Sequence, residues 1–302
     1  MKIGLLLPTR EAVMYGDHSG DPRPLVDLAV RAEEMGFDSV WAGDSLLARP
    51  RAEPLTLLAG VATCSDRVEL GTAVLLPSLR NAEQLAQATG TLDALSGGRF
   101  IFGVGAGPGT PGVKVDHEHV GAAFDRRAGA MMNVLDRVKS LWQGSDGEQM
   151  YPTPTHSSGP PIWMGGSGPR TLQRAGELCD GWFPLPSSVE AFSAGIATVR
   201  QHAETAGRPA ADITAAAYLT VTFGEPAVAE AELKEHSELY YGVPHELIAK
   251  QQGSVAGPRE LVLAWLQEFI DAGVSHLCLR IGSANMNEQL EILADSLDEL
   301  RG

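Results

Sequence analysis

The chain has only three cysteines in 302 residues, Cys64, Cys179 and Cys278, and no two share CxxC or metal-ligand spacing. That excludes a disulfide scaffold and a thiolate metal centre, and leaves the expectation of buried free thiols in a reducing compartment. Positive charge is also scarce. Lys and Arg number 23 against 38 Asp and Glu, a formal net charge of −15 with no basic run. Such a surface repels nucleic acid and anionic membranes. No segment approaches the roughly 18 uninterrupted apolar residues of a membrane helix. The first apolar run ends at Pro8 and is too short for a secretion signal, so a cytoplasmic protein is expected. No GxSxG elbow is present, which argues against a serine hydrolase. No HExxH occurs, and the histidines form no HxH metal site; His117 and His119, flanked by Asp116 and Glu118, are the nearest approach to one, and no metal is expected.

Short apolar runs alternate with helical patterns throughout. Ile3–Leu7, Ser39–Ala42, Val68–Leu75, Phe100–Val104, Ile162–Met164, Gly181–Pro184, Ile213–Phe223 and His276–Ile281 read as strands, the first a continuous apolar run as in a strand buried on both faces. Leu25, Leu28, Ala29 and Ala32 share one helical face, with Pro22 and Pro24 suiting its start and Gly36 its stop. Further helical stripes are Leu85, Ala88, Leu92 and Leu95 before Gly97-Gly98, Met131, Leu135, Val138 and Trp142 within Ala122–Trp142, and Leu290, Leu293, Leu297 and Leu300. Eight strands, each followed by helix, are the pattern of an α/β (β/α)8 TIM barrel. The segments after strands 4 and 7, including acidic helices over Ala227–Gln252, read as insertions. An open doubly wound sheet is the alternative; the strand count and the lack of a linker favour the barrel.

A barrel carries its chemistry on the loops at the C-terminal ends of its strands. The most distinctive of these is PPIWMGGSGPRTLQRAG, in which Gly165, Gly166, Ser167 and Gly168 join strand 5 to a helix. Small residues let backbone approach a ligand, and the free N–H groups and dipole of the next helix attract an anion. Pro169 at the helix start wastes no donor, and Arg170 adds a cation. A tight turn with no ligand is the alternative reading. Asp44, ending strand 2, is either an acceptor for a ligand or a helix cap. Gly103–Gly107 has the wrong spacing for a dinucleotide fingerprint, but its small residues, Gly107 included, clear space at the barrel mouth.

Three stretches resemble the bacterial luciferase-like flavin and deazaflavin oxidoreductases: AVRAEEMGFDSVWAGDS (Ala29–Ser45), RVELGTAVLLPSLRNAEQLAQATGTLDALSGGRFIFGVGAG (Arg67–Gly107) and PPIWMGGSGPRTLQRAGELCDGWFP (Pro160–Pro184). The resemblance implies one barrel domain over residues 1–302 that binds F420 or FMN at its C-terminal face. Gly165–Gly168 would hold the phosphate, and a bulge with a cis peptide, Ala73–Val74, would lie behind the ring. Asp44 matches an acidic residue near the ring. Ser45 stands where many F420-dependent members have histidine, and Pro108 where some have a glutamate proton donor, which leaves the catalytic residues unassigned.

F420 is favoured, because Arg49, Arg51, Arg80 and Arg170 lie on the face where its anionic tail must be met. The expected activity is hydride transfer between F420 and a small organic substrate, under lids formed by Pro108–Val120 and Gly144–Pro161, with Trp41 and His117 in the substrate pocket. Alternatives are an FMNH2-dependent monooxygenase served by a partner flavin reductase and a cofactor-binding protein without catalysis. A homodimer is expected from the resemblance.

Overall fold

The computed structural model describes residues 1–16, 21–145 and 147–302. Strand β1 (Lys2–Leu6) leads through a short helix α1 (Glu11–Met14) into α2 (Arg23–Glu34), and β2 (Ser39–Ala42) is followed by α3 (Pro54–Ala62). β3 (Glu69–Thr72) precedes α4 (Ala82–Ser96), and β4 (Phe100–Val104) precedes α5 (Pro111–His119) and α6 (Arg127–Gln143). β5 (Ile162–Met164) and α7 (Pro169–Leu178) are followed by β6 (Gly181–Trp182) and α8 (Val189–Thr205). The long β7 (Thr214–Phe223) is followed by α9 (Pro226–Tyr241), α10 (His245–Ala249), β8 (Ser254–Gly257) and α11 (Arg259–Asp271). β9 (His276–Ile281) precedes α12 (Met286–Ala294) and α13 (Leu297–Arg301).

All strand pairs are parallel, and the ring closes in the order β1-β2-β3-β4-β5-β6-β7-β9 and back to β1. This is the (β/α)8 barrel expected. The additional strand β8 was not expected. It pairs with the C-terminal half of β7 from Thr220 to Phe223, while β6 pairs with the first residues of β7, Thr214 and Ala215. Because β6 is so short, the outer end of β7 would otherwise have an open edge. The insertions after β4 and β7 comprise α5 and the α9-α10-β8 segment.

Local chemistry explains most boundaries. Leu25, Leu28, Ala29 and Ala32 of α2 are buried as the pattern required. Asn81 caps α4 by accepting from the Gln84 N–H at 3.0 Å, and Gly97 stops it in the left-handed conformation. The buried stripe of α4 is not the expected one, however. Ala88 and Leu95 are exposed, and Thr89 and Asp93 are buried beside Leu85 and Leu92. Asp93 fits there because it accepts the Thr155 N–H at 2.7 Å. The Pro108–Val120 loop also differs, since Pro111 at its first turn starts helix α5. β3 ends at Thr72 rather than Leu75. A cis peptide joins Ala73 to Val74, and pairing resumes at Leu75 opposite Val104. Of the thiols expected to be buried, Cys179 and Cys278 are buried, but Cys64 lies exposed just past the end of α3. Among the described residues, no helix is long and apolar enough to cross a membrane.

Two tryptophans fill the barrel interior. Trp41 and Trp163 lie 5.2 Å apart, ringed by Leu6, Ile101, Phe183 and Cys278. Glycines on neighbouring strands make room for them: a Cβ on Gly71 would overlap the Trp41 ring, and one on Gly181 would come within 2.6 Å of Trp163. The Trp41 Nε1–H donates to Ser39 Oγ, which lies 2.7 Å from His276 Nε2. Trp41, expected in a substrate pocket, is therefore a core residue with 0% exposure. It lies within β2, and its ring packs into the Trp163 cluster rather than at the mouth.

Burial pushes His276 down to about 3, with Lys2 adding to the effect. The folded state therefore refuses a proton that the unfolded chain takes up near pH 6.5, and stability falls as pH drops through that value. Between pH 7 and pH 5 the wild type is expected to lose about 2 kcal/mol more than His276→Gln, measured by urea denaturation. Parallel pH profiles for the two proteins would contradict this.

Candidate active site

The C-terminal ends of the strands form the mouth of the barrel. At β5, Gly165 remains in the ladder through its N–H to Val104 O at 2.8 Å, and Gly168 is the N-cap of α7, with Pro169 in the first turn. Gly166 adopts φ +103°, and its carbonyl is held by the Trp182 Nε1–H at 2.8 Å. The N–H groups of Gly166, Ser167 and Gly168 donate to no group among the described residues, and all three residues are exposed. Three unspent donors at a helix N-terminus fit a phosphate.

The bulge adjoins this turn. A Cβ on Gly105 would lie 2.7 Å from Val74 Cγ2, and one on Gly165 would lie 3.0 Å from Val74 Cγ1. Val74 thus packs in the notch that these glycines leave, so the fold brings Val74, Gly105 and Gly165 together. Gly107 has φ +75° and packs under Leu76 and Val113, with its carbonyl accepting from Arg127 Nε at 3.3 Å. It shapes the turn into α5.

Asp44 is held rather than open. Its carboxylate takes both Nη atoms of Arg80, at 2.6 and 3.0 Å, and the Leu76 N–H at 2.9 Å. Arg80 in turn reaches Glu53 at 3.0 Å. Arg80 is therefore spent on carboxylates of the protein, whereas Arg170 stands exposed at the start of α7 with no ion pair among the described residues. Ser45 donates to Asp116 at 3.1 Å, and Asp116 also accepts the N–H groups of Leu46, Leu47 and Ala48. Burial pushes the Asp116 carboxyl up, but these hydrogen bonds outweigh it and hold the group below its ordinary value.

His117 was expected in the pocket and instead packs inside. Its Nε2 lies 3.0 Å from Ser78 Oγ and its Nδ1 2.7 Å from Val113 O. On the new helix α5, position 117 faces Val113 one turn back, and both are buried. Among the described residues, no group of three His, Cys, Asp or Glu is arranged to hold a metal.

A polar cluster on the other side of the mouth was not foreseen from the sequence. Arg10 and Glu11 follow β1, Arg280 lies in β9, and α9 supplies His236, Tyr240 and Tyr241. Arg280 is 2% exposed; its Nε and Nη2 donate to Thr220 Oγ1 at 3.1 and 2.9 Å, and its Nη1 to the Tyr241 hydroxyl at 2.8 Å. Glu11 Oε1 and His236 Nε2 face each other at 3.6 Å, and neither atom has a hydrogen-bond partner. Tyr15 Oη lies 3.3 Å from His236 Nδ1. Burial pushes His236 down to about 3, and Arg280 adds to that. Burial raises Glu11 despite the opposing pull of Arg280, Arg51 and Arg10. Such a pair can hold one proton between carboxyl and imidazole. One signal was readable: Arg280 is the single charge in HLCLRI, an otherwise apolar run.

A family model described as luciferase-like monooxygenase matches residues 1–290. The chain is 28% identical over 297 residues to an F420-dependent glucose-6-phosphate dehydrogenase of Amycolatopsis mediterranei (strain U-32), covering 85% of this chain and 87% of that protein. Among solved structures it is similar to an F420-dependent secondary alcohol dehydrogenase in complex with an F420-acetone adduct (TM-score 0.81, 20% identity, 100% of this chain and 99% of that one). It is also similar to the monooxygenase RslO1 from Streptomyces bottropensis (TM-score 0.82, 19% identity, 100% of both chains). At these identities the two structures speak for the fold. The match of the family model across residues 1–290 places this protein in the luciferase-like monooxygenase family.

Proposed function

We propose that this protein is an F420-dependent oxidoreductase acting on a small organic substrate. The observation that carries the reading is the set of unspent N–H groups at Gly166, Ser167 and Gly168, two strands away from the Ala73–Val74 bulge. A phosphate on the turn and a flat ring against the bulge are what a flavin-type cofactor requires. The F420-dependent curated relative favours the deazaflavin. Bound F420 would supply two-electron chemistry by accepting or donating hydride at C5.

The chain's own residues have three tasks in this reading. The glycine turn binds the phosphate through backbone, Val74 shapes the bed for the ring, and the Glu11–His236 pair holds the proton that must accompany a hydride. Ser45 and Pro108, standing where other members carry histidine and glutamate, leave this pair as the acid/base assignment. The protein is taken as a single domain, working as a homodimer. The second reading, an FMNH2-dependent monooxygenase with a partner flavin reductase, draws on the likeness to the monooxygenase RslO1. A binding-only protein would retain cofactor yet show no turnover with any electron donor or oxygen.

Titrating apoprotein with F420 and with FMN separates the readings. F420 is expected to bind at micromolar concentration and more tightly than FMN. FMN binding with no F420 binding would favour the monooxygenase, and failure of both would remove the cofactor assignment. Gly166→Val forbids the positive φ and is expected to weaken F420 by about tenfold or more. Unchanged affinity would take the turn out of the site.

A further inference from the structure

The arginines at the mouth are arranged in an unusual way. Arg280 packs its guanidinium 4.6 Å from the Tyr240 ring centroid and 5.3 Å from that of Tyr241. Arg10 lies 5.3 Å and Arg51 5.6 Å from Tyr240, and Arg49 lies 4.9 Å from Tyr241. Residues from the ends of β1, β2 and β9 thus converge on the last turn of α9. None of these arginines has a carboxylate within 4.0 Å among the described residues, and Glu11 is the single acid in the cluster. The other groups facing it are His236 and the hydroxyls of Tyr15, Tyr218, Tyr240 and Tyr241. In a chain of net charge −15, positive charge has collected here without anionic partners.

Enclosed charge of one sign is costly unless an opposite charge meets it. Neutral tyrosine faces offset only part of the cost. Two further facts say what would complete the cluster. Arg280 donates three hydrogen bonds, to Thr220 and Tyr241, of the five its guanidinium can make. Arg10 uses only Nε, to Tyr240 O at 3.0 Å. The unspent N–H forks match the paired oxygens of a carboxylate or phosphate.

The position separates this cluster from the cofactor phosphate. Around the ring, β5 lies four strands from β1, so the glycine turn and the arginines occupy opposite rims. The cluster nonetheless borders the ring bed. A Cβ on Gly43 would overlap Arg51 Nη1 and lie 3.7 Å from the Ala73 carbonyl, next to the cis peptide. We infer that Arg10, Arg51 and Arg280 receive the carboxylate or phosphate of an acidic organic substrate, anchoring it beside the bulge with its other end over the ring. This rests on the reading of the mouth as the cofactor-dependent active site.

The test is calorimetric titration of the full-length apoprotein with benzoate and with inorganic phosphate, repeated with saturating F420. At least one probe is expected to bind in both states, more weakly as NaCl is raised, and the preferred probe identifies the substrate's acidic group. Arg280→Gln and Arg10→Gln are each expected to weaken that probe by about tenfold, one charge-assisted contact. Arg10 is partly exposed, so its variant serves if Arg280→Gln does not fold. Binding of neither probe, affinity unchanged in Arg10→Gln, or displacement of the probe by F420 would overturn the inference. If the probes bind as expected and F420 does not bind at all, the anion site stands and the cofactor assignment falls.

Discussion

The packing of Trp41 and Trp163 against glycines on the neighbouring strands decides where everything else in this barrel can happen. With two indoles in its centre, the interior has no room for a ligand at that depth, and the Ser39–His276 contact satisfies the polar atoms that remain. A ligand is therefore expected at the C-terminal mouth, where barrels of this kind carry their loops. There the strands end in small residues, and Val74 can pack into the notch left by Gly105 and Gly165. A larger residue at either glycine would push the bulge away from the turn that follows β5.

Charge is distributed around the mouth in two ways. On the β2–β3 side it is neutralised: Asp44 by Arg80, and Asp116 by a row of backbone N–H groups that fixes the loop 45–48. On the β1–β9 side it is left open, with arginines resting on tyrosine faces and a buried carboxyl–imidazole pair whose facing atoms, Glu11 Oε1 and His236 Nε2, have no hydrogen-bond partner. The first arrangement gives rigidity, because each carboxylate has its acceptors filled. The second leaves donors for something that is not part of the chain. A protein with an excess of acid has thereby concentrated basic groups where its substrate is proposed to sit.

The features that were legible in the sequence are local ones. The glycine turn at 165–168 and most strand positions follow from composition within a few residues. The cis position at Ala73–Val74 came from resemblance, since no residue type there demands it. Trp41 departs from expectation because a sequence shows that a residue lies in a strand but not how deep in the barrel its side chain packs. His117 packs inside rather than in the pocket because Pro111 opens helix α5, whose buried face carries Val113 and His117. β8 escaped notice as four residues after a glycine, three of them only half-buried, with little apolar pattern. The arginine–tyrosine cluster was out of reach for a different reason. Arg10, Arg51, Tyr240 and Arg280 meet only when the ring closes β9 onto β1, and spacing along the chain carries no trace of that.

The central claim is that a cofactor phosphate sits on the amides of Gly166, Ser167 and Gly168 with its ring against Val74. A crystal structure of the protein with F420 tests it most directly. Phosphate oxygens are expected within hydrogen-bonding distance of those amides, with the deazaflavin ring on the Ala73–Val74 bulge and the arginines that follow β1 and lie in β9 free of the cofactor. F420 bound with its phosphate among Arg10, Arg51 and Arg280, and the glycine turn empty, would contradict it.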